Sequence, residues 1–239
     1  MPGKSVNINA FAYWMLQVGA ELAIVDTPDK AVDFEWIRSY VRDGGWGCES
    51  YEAMVATCGT VYAEGKRRAA VLKRRGINNW FSIWDDSLFR PSVLIADEYT
   101  GLMTPERVPK APPKDHQMRG EAEATNGFKD MVATFIQKIA LGMRFVGAHV
   151  FVSTQLKNIK TGVFTALKAA CGNRFLMGPN ASDNQRDNAL SAPNSVAEVP
   201  ENVKTTAGVS KGVGVTETEG QPSRVFKGYF APTATFAEH

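Results

Sequence analysis

The chain has 239 residues, 44% of them hydrophobic and 22% charged, with 27 basic against 25 acidic residues, which excludes a disordered or fibrous protein. A formal net charge of +2 is too mild to announce nucleic acid or a membrane surface by itself. Cys48, Cys58 and Cys171 form no C-x-x-C pair, no apolar run approaches the ~18 residues of a membrane span, and no signal-peptide pattern opens the sequence; a disulfide framework and a Cys-rich zinc site are excluded, and a cytoplasmic protein is expected.

Apolar runs alternate with helical patterns through most of the chain, which predicts an α/β fold with a mainly parallel central sheet flanked by helices. Val6 to Val18 reads as a helix, and Leu22-Ala23-Ile24-Val25 as a buried strand ending at Asp26. From Tyr51 to Arg75 one apolar stripe, through Met54, Cys58, Val61 and Leu72, predicts a long helix stopped by Gly76, with a very basic opposite face. Val93-Leu94-Ile95-Ala96 is a second buried strand, closed by Asp97 and Glu98. Thr104 to Asn126, with Pro105, Pro109, Pro112 and Pro113 and no apolar period, is expected to be an exposed loop. A helix carrying Phe128, Met131, Val132, Phe135, Ile139 and Met143 then leads to a third strand, His149 to Thr154. Arg174 to Met177 suits a short strand, Asp183 to Leu190 a short helix, and Ser191 to Ala207 a polar connection. Lys211 to Thr216 and Ser223 to Phe230, separated by a Gly-Gln-Pro turn, are expected to form an antiparallel hairpin at the sheet edge.

Three sets of residues carry chemistry. Gly3-Lys4-Ser5 running into a helix is how a P-loop ends: the glycine lets backbone amides approach phosphates, the lysine neutralises their oxygens, and the hydroxyl ligates magnesium at the helix's positive end. Alone, the tripeptide is weak evidence, and a terminus in which Ser5 caps a helix is the plainer reading of it. Asp97 and Glu98 at a strand end have the pattern of a Walker B motif, one acid to hold magnesium and one to polarise water. Gln155, ending the third strand, could sense a γ-phosphate. Ligands of open α/β sheets bind at the carboxyl ends of strands, so the three sets together point to nucleotide binding.

In order and spacing these residues resemble the motor domain of the FtsK/SpoIIIE family of DNA translocases, over most of the chain. Gly3 to Ala10 is similar to that family's G-K-S and following helix, and Ile24 to Lys30 to its strand with an aspartate and a proline-lysine turn, Thr27 and Asp29 being departures. Glu64 to Asn79 resembles its basic helix, Leu94 to Met103 its Walker B block, and Gly147 to Gln155 its A-G-I-H-L block ending in A-T-Q. Asn173-Arg174-Phe175, Ser182 to Arg186 and Lys211 to Gly214 are like its later strand, turn and glycine-rich strand.

The resemblance implies one RecA-like P-loop ATPase domain over 1–239, using ATP and magnesium, acting on double-stranded DNA as a hexameric ring of identical subunits with nucleotide at the interfaces. Gly3, Lys4 and Ser5 would bind phosphate, Ser5 and Asp97 magnesium; Glu98 would be the base and Gln155 the sensor. Arg144 would reach a neighbouring subunit's nucleotide, for which the planar, always-charged guanidinium is suited. Lys157, Lys160 and Arg186 would grip DNA phosphates, although the family's arginine-proline after the glutamine is missing. The run Lys66-Arg67-Arg68 with Lys73-Arg74-Arg75 reads as a solvated helix face. A complete P-loop needs three residues before Met1 and a strand to aim it, and Pro2 donates no amide, so either the start lies upstream or the motor is shortened. The alternatives are an impaired RecA-like DNA-binding or assembly subunit, and a related conjugation or secretion ATPase.

Overall fold

The structure, a computed structural model, describes residues 3–28, 30–110, 113, 116–154, 165–206, 208–219, 221–228 and 235–236. The chain divides into two compact units, one of Met15–Lys157 and one joining Met1–Trp14 to Asn158–His239.

In the first unit, strands β1 (Glu21–Val25), β2 (Trp46–Gly47), β3 (Ser92–Ala96) and β4 (Ala148–Val152) form a parallel sheet in the order β2-β1-β3-β4. Leu22, Ala23, Ile24 and Val25 of β1 and Leu94, Ile95 and Ala96 of β3 are fully buried, as the continuous apolar runs required of central parallel strands. Helix α2 (Tyr51–Arg75) lies across β2, β1 and β3, α4 (Gln117–Gly142) lies along β4, and the two helices pack on each other, with the Tyr62 and Phe135 rings 5.8 Å apart. The ends of α2 follow from its sequence. Ser50 accepts the Ala53 amide at 3.1 Å as N-cap, and Gly76 takes the left-handed C-cap conformation at φ +65°.

Two sequence expectations change here. Residues 117–126, expected in the loop, begin α4. The stretch before them is tethered: Lys129 is buried and donates to the Thr104 carbonyl at 2.7 Å and to Glu106 at 2.6 Å, while the Asn126 side chain bonds the Glu106 backbone in both directions. The basic face of α2 is also not wholly solvated. Arg68 is 1% exposed, its Nε donating to Glu64 at 2.8 Å, Nη2 to Glu21 at 3.1 Å, and Nη1 to the Arg90 carbonyl at 2.6 Å and, weakly, to that of Val146 at 3.5 Å. Arg67 holds the same Glu64 carboxylate through two further bonds. Burial alone would raise Glu64, but the hydrogen bonds from Arg67 and Arg68 outweigh it and lower its pKa to about 2.

In the second unit β5 (Arg174–Met177), β6 (Val213–Glu217) and β7 (Arg224–Lys227) form an antiparallel sheet of their own, so the expected hairpin pairs with β5 and not with the parallel sheet. Val213 and Val215 pack with Val196, Val199 and Val203, the last on α7 (Glu201–Thr205), which makes part of the expected polar connection a small core. Buried Glu217 staples that connection down by accepting the Ser191 amide and hydroxyl and the Ala192 amide at 2.8, 2.7 and 3.2 Å.

Candidate functional site

The parallel register sets Val25, Ala96 and Val152 level on three adjacent strands. The residue after each is polar and buried: Asp26, Asp97 and Ser153 are 3%, 5% and 7% exposed. Adjacent strands lie about 4.8 Å apart, so two carboxylates and a hydroxyl form a row along the carboxyl edge of the sheet. The ladder runs one residue past the strands to hold it, the Asp97 amide donating to the Val25 carbonyl at 3.1 Å and the Ser153 amide to that of Ala96 at 2.9 Å. Each aspartate also accepts the amide that follows it, Thr27 on Asp26 and Glu98 on Asp97, both at 2.7 Å.

Glu98 turns the chain from β3 into helix α3 (Tyr99–Met103). Its backbone sits at φ 46° and ψ 40°, and it is the one non-glycine residue at positive φ among the described residues. That conformation costs an L-residue roughly 1–2 kcal/mol, a strain typical of functional sites. The turn is fixed from both sides. The Tyr99 amide donates to the Ser153 carbonyl at 2.8 Å, and the hydroxyls of Thr100 and Thr154 bond each other, so the start of α3 is tied to the end of β4. Asp97 is an acceptor-only oxygen ligand of the kind magnesium prefers, and this ion takes only one or two carboxylates beside substrate phosphates, so the site fits it although the described residues hold no cluster of three metal-ligating side chains.

The G-K-S segment is seen within the second unit. Gly3 adopts φ +74° and opens the helix α1 (Lys4–Gln17), its carbonyl accepting both the Asn7 amide at 3.0 Å and the Asn7 side chain at 2.8 Å. A side chain at Gly3 would face the Gly212 backbone at 3.6 Å, and one at Gly228 would collide with Asn7, so glycines at the base of the β6–β7 hairpin let the start of α1 approach. The first turn of α1 holds no acidic residue, which leaves its positive end suited to an anion.

Of the remaining expected site residues, Arg144 is exposed on a 3-10 turn just before β4, at the amino edge of the parallel sheet, about 15 Å of strand away from the Asp97 row. It does not join that row within its own chain. Arg186 lies half-buried on α6 (Asp183–Ala189), which opens with a Ser182–Gln185 capping box. Gln155, Lys157 and Lys160 lie outside the described residues. Sequence reasoning passed over Asp26, Ser153 and the Thr100–Thr154 pair; the signal was a polar residue directly after each apolar run, but only the register makes it a row. His149 is half-buried edge-on to Trp80, and burial, with Arg144 adding repulsion, lowers its pKa.

No family model matches the sequence, and no curated protein does. Among solved structures, the chain is similar to the pCW3 conjugation coupling protein TcpA in its monomer form with ATPγS, with a TM-score of 0.70 at 18% identity, covering 95% of this chain and 56% of that one. It is also similar to EssC (ATPases 2 and 3) from Geobacillus thermodenitrificans, with a TM-score of 0.50 at 9% identity, covering 93% of this chain and 36% of that one. The chain therefore spans little more than half of the first protein and about a third of the second. The fold class is the expected one, α/β with a parallel sheet flanked by helices and a C-terminal antiparallel hairpin. No helix among the described residues is long and apolar enough to cross a membrane.

Proposed function

We propose that the chain is an ATP-hydrolysing motor of the FtsK/SpoIIIE type that moves double-stranded DNA as a ring of identical subunits. The observation that carries the reading is the buried Asp97 beside a strained Glu98 at the carboxyl edge of a parallel sheet, in a fold similar to that of a coupling protein solved with ATPγS and of EssC (ATPases 2 and 3). Magnesium-bound ATP supplies the phosphoryl bond and its leaving group. Toward it, Lys4 would neutralise phosphate oxygens, the amides at the start of α1 and Gly3 would donate to them, and Ser5 and Asp97 would hold the ion. Glu98 accepts a proton from the attacking water, and Gln155 orients that water. Arg144 acts on the neighbouring subunit's site, a role that agrees with its place at the far edge of its own sheet. Lys157, Lys160 and Arg186 grip DNA phosphates without reading bases, as movement over any sequence requires.

The likeness to a conjugation coupling protein favours a second reading, a related conjugation or secretion ATPase moving plasmid DNA or protein. One assay tests the first: magnesium-dependent ATP hydrolysis with and without long double-stranded DNA, beside Glu98→Gln. DNA-stimulated turnover that the variant loses is expected. Turnover without DNA stimulation points to the second reading with protein as the cargo, and none in the folded protein overturns both in favour of an impaired assembly subunit.

A further inference from the structure

At the amino edge of the parallel sheet, opposite the Asp97 row, the first unit has an open cavity of about 600 Å³ lined by Val18, Trp80, Phe81, Trp84, Arg90 and Pro91 among others. We propose that this cleft docks a short segment of a partner protein carrying an aliphatic or aromatic anchor beside a carboxylate.

Large apolar side chains gather there in water. Val18, Phe81 and Trp84 are 60%, 67% and 69% exposed, and exposed apolar groups that share one concavity mark interaction sites. The cleft is also held rigid. Asn79 caps its turn by accepting the Phe81 amide at 3.0 Å, Arg75 pairs with Asp86 at 2.7 Å, and the Trp80 and Phe81 rings stack 4.7 Å apart. Trp80 rests on Gly147, where a Cβ would come within 2.9 Å of the indole.

The polar side-chain groups of this lining are all donors. The Arg90 guanidinium, whose residue is fixed through its carbonyl on Arg68, is exposed and has no carboxylate partner among the described residues. A ligand must therefore bring apolar surface together with an acceptor, and a negative one suits Arg90, the one charged residue of the lining. Nucleic acid fits less well. Its phosphates need a track of cations, whereas the lining offers one, with Asp85 and Asp86 following Trp84 directly. Open, shallow exposure of the anchors suits an extended peptide rather than an enclosed small molecule.

The test uses the full chain and a phage-displayed random-peptide library, with selected peptides resynthesised and titrated by fluorescence anisotropy. Peptides pairing Trp, Phe or Leu with Asp or Glu are expected, their affinity falling about tenfold in Trp84→Ser, as for a central aromatic anchor, and several-fold in Arg90→Gln. Both residues are exposed, and unchanged melting curves confirm that the variants fold. Selection of basic peptides or none, or equal binding by Trp84→Ser, overturns the proposal. So does oligothymidylate binding that Trp84→Ser abolishes, which makes the cleft a single-strand surface, or self-association that the same variant abolishes, which makes it a contact between copies. None of these outcomes bears on ATP hydrolysis.

Discussion

Replacing Arg68 by alanine removes a fully buried guanidinium that bonds two carboxylates and a carbonyl. Breaking such a buried network costs about 3–5 kcal/mol. The lower end applies here, because neither acid is stranded: Glu64 keeps Arg67 at 2.6 Å and Glu21 keeps Arg42 at 3.6 Å. What remains is the cavity under Phe89 and the Arg90 carbonyl without its donor. At about 2–4 °C per kcal/mol for a chain of this size, a loss of about 3 kcal/mol lowers the melting temperature by roughly 6–12 °C. Circular dichroism melts of the wild type, Arg68→Ala and Arg68→Met measure it, with methionine recovering part of the cavity cost but not the carbonyl's donor. A melting temperature of Arg68→Ala within about 2 °C of wild type would refute the reasoning, since the network would then contribute nothing beyond an ordinary surface pair.

The Glu64 carboxyl, lowered from 4.5 to about 2, stabilises the fold above its unfolded value, and that contribution is lost as pH falls from about 4.5 through 2; urea midpoints should decline over this window, and less steeply in Arg68→Met. Glu98→Gly should be more stable than Glu98→Ala by about 1 kcal/mol, because glycine accepts φ 46° and alanine does not, while both lose hydrolysis; equal urea stabilities would deny the strain. Gly147→Ala meets both a φ of +76° and the Trp80 ring at 2.9 Å, so a loss of at least about 2 kcal/mol is expected together with a shifted tryptophan emission. Glu217→Ala leaves two amides and a hydroxyl without their acceptor, and hydrogen exchange should show faster opening of the Ser191–Ala192 segment specifically.

Where local chemistry decides, the sequence was readable. Gly76 stops α2 because one missing Cβ suffices to end a helix, and Leu22–Val25 and Val93–Ala96 read as buried strands because both their faces are covered. The first turns of α4 were not legible, since Gln117 to Asn126 is made largely of polar residues on a stretch that buries nothing, and periodicity reports only a buried face. Arg68 misled for the opposite reason: its neighbours Lys66 and Arg67 are exposed, and nothing local distinguishes the one cation that three distant segments enclose. At the site, Asp97 and Glu98 were found by pattern, whereas the alignment of Asp26 and Ser153 with them depends on strand pairing, which a single sequence does not encode locally.

The three groups that meet in the Arg68 guanidinium are the carboxylate of Glu21 at the start of β1, the carbonyl of Arg90 two residues before β3, and the carbonyl of Val146 two residues before β4. One side chain thus indexes three parallel strands at their common origin. A lengthwise slip of any of them by one residue would carry its far end about 3.3 Å out of step and reverse its side chains, setting Asp26, Asp97 or Ser153 against the wrong layer of the sheet. The alignment of a row of polar groups at one edge is in this sense set by a zero mark at the other, which gives a residue with no reach toward the row a stake in its geometry.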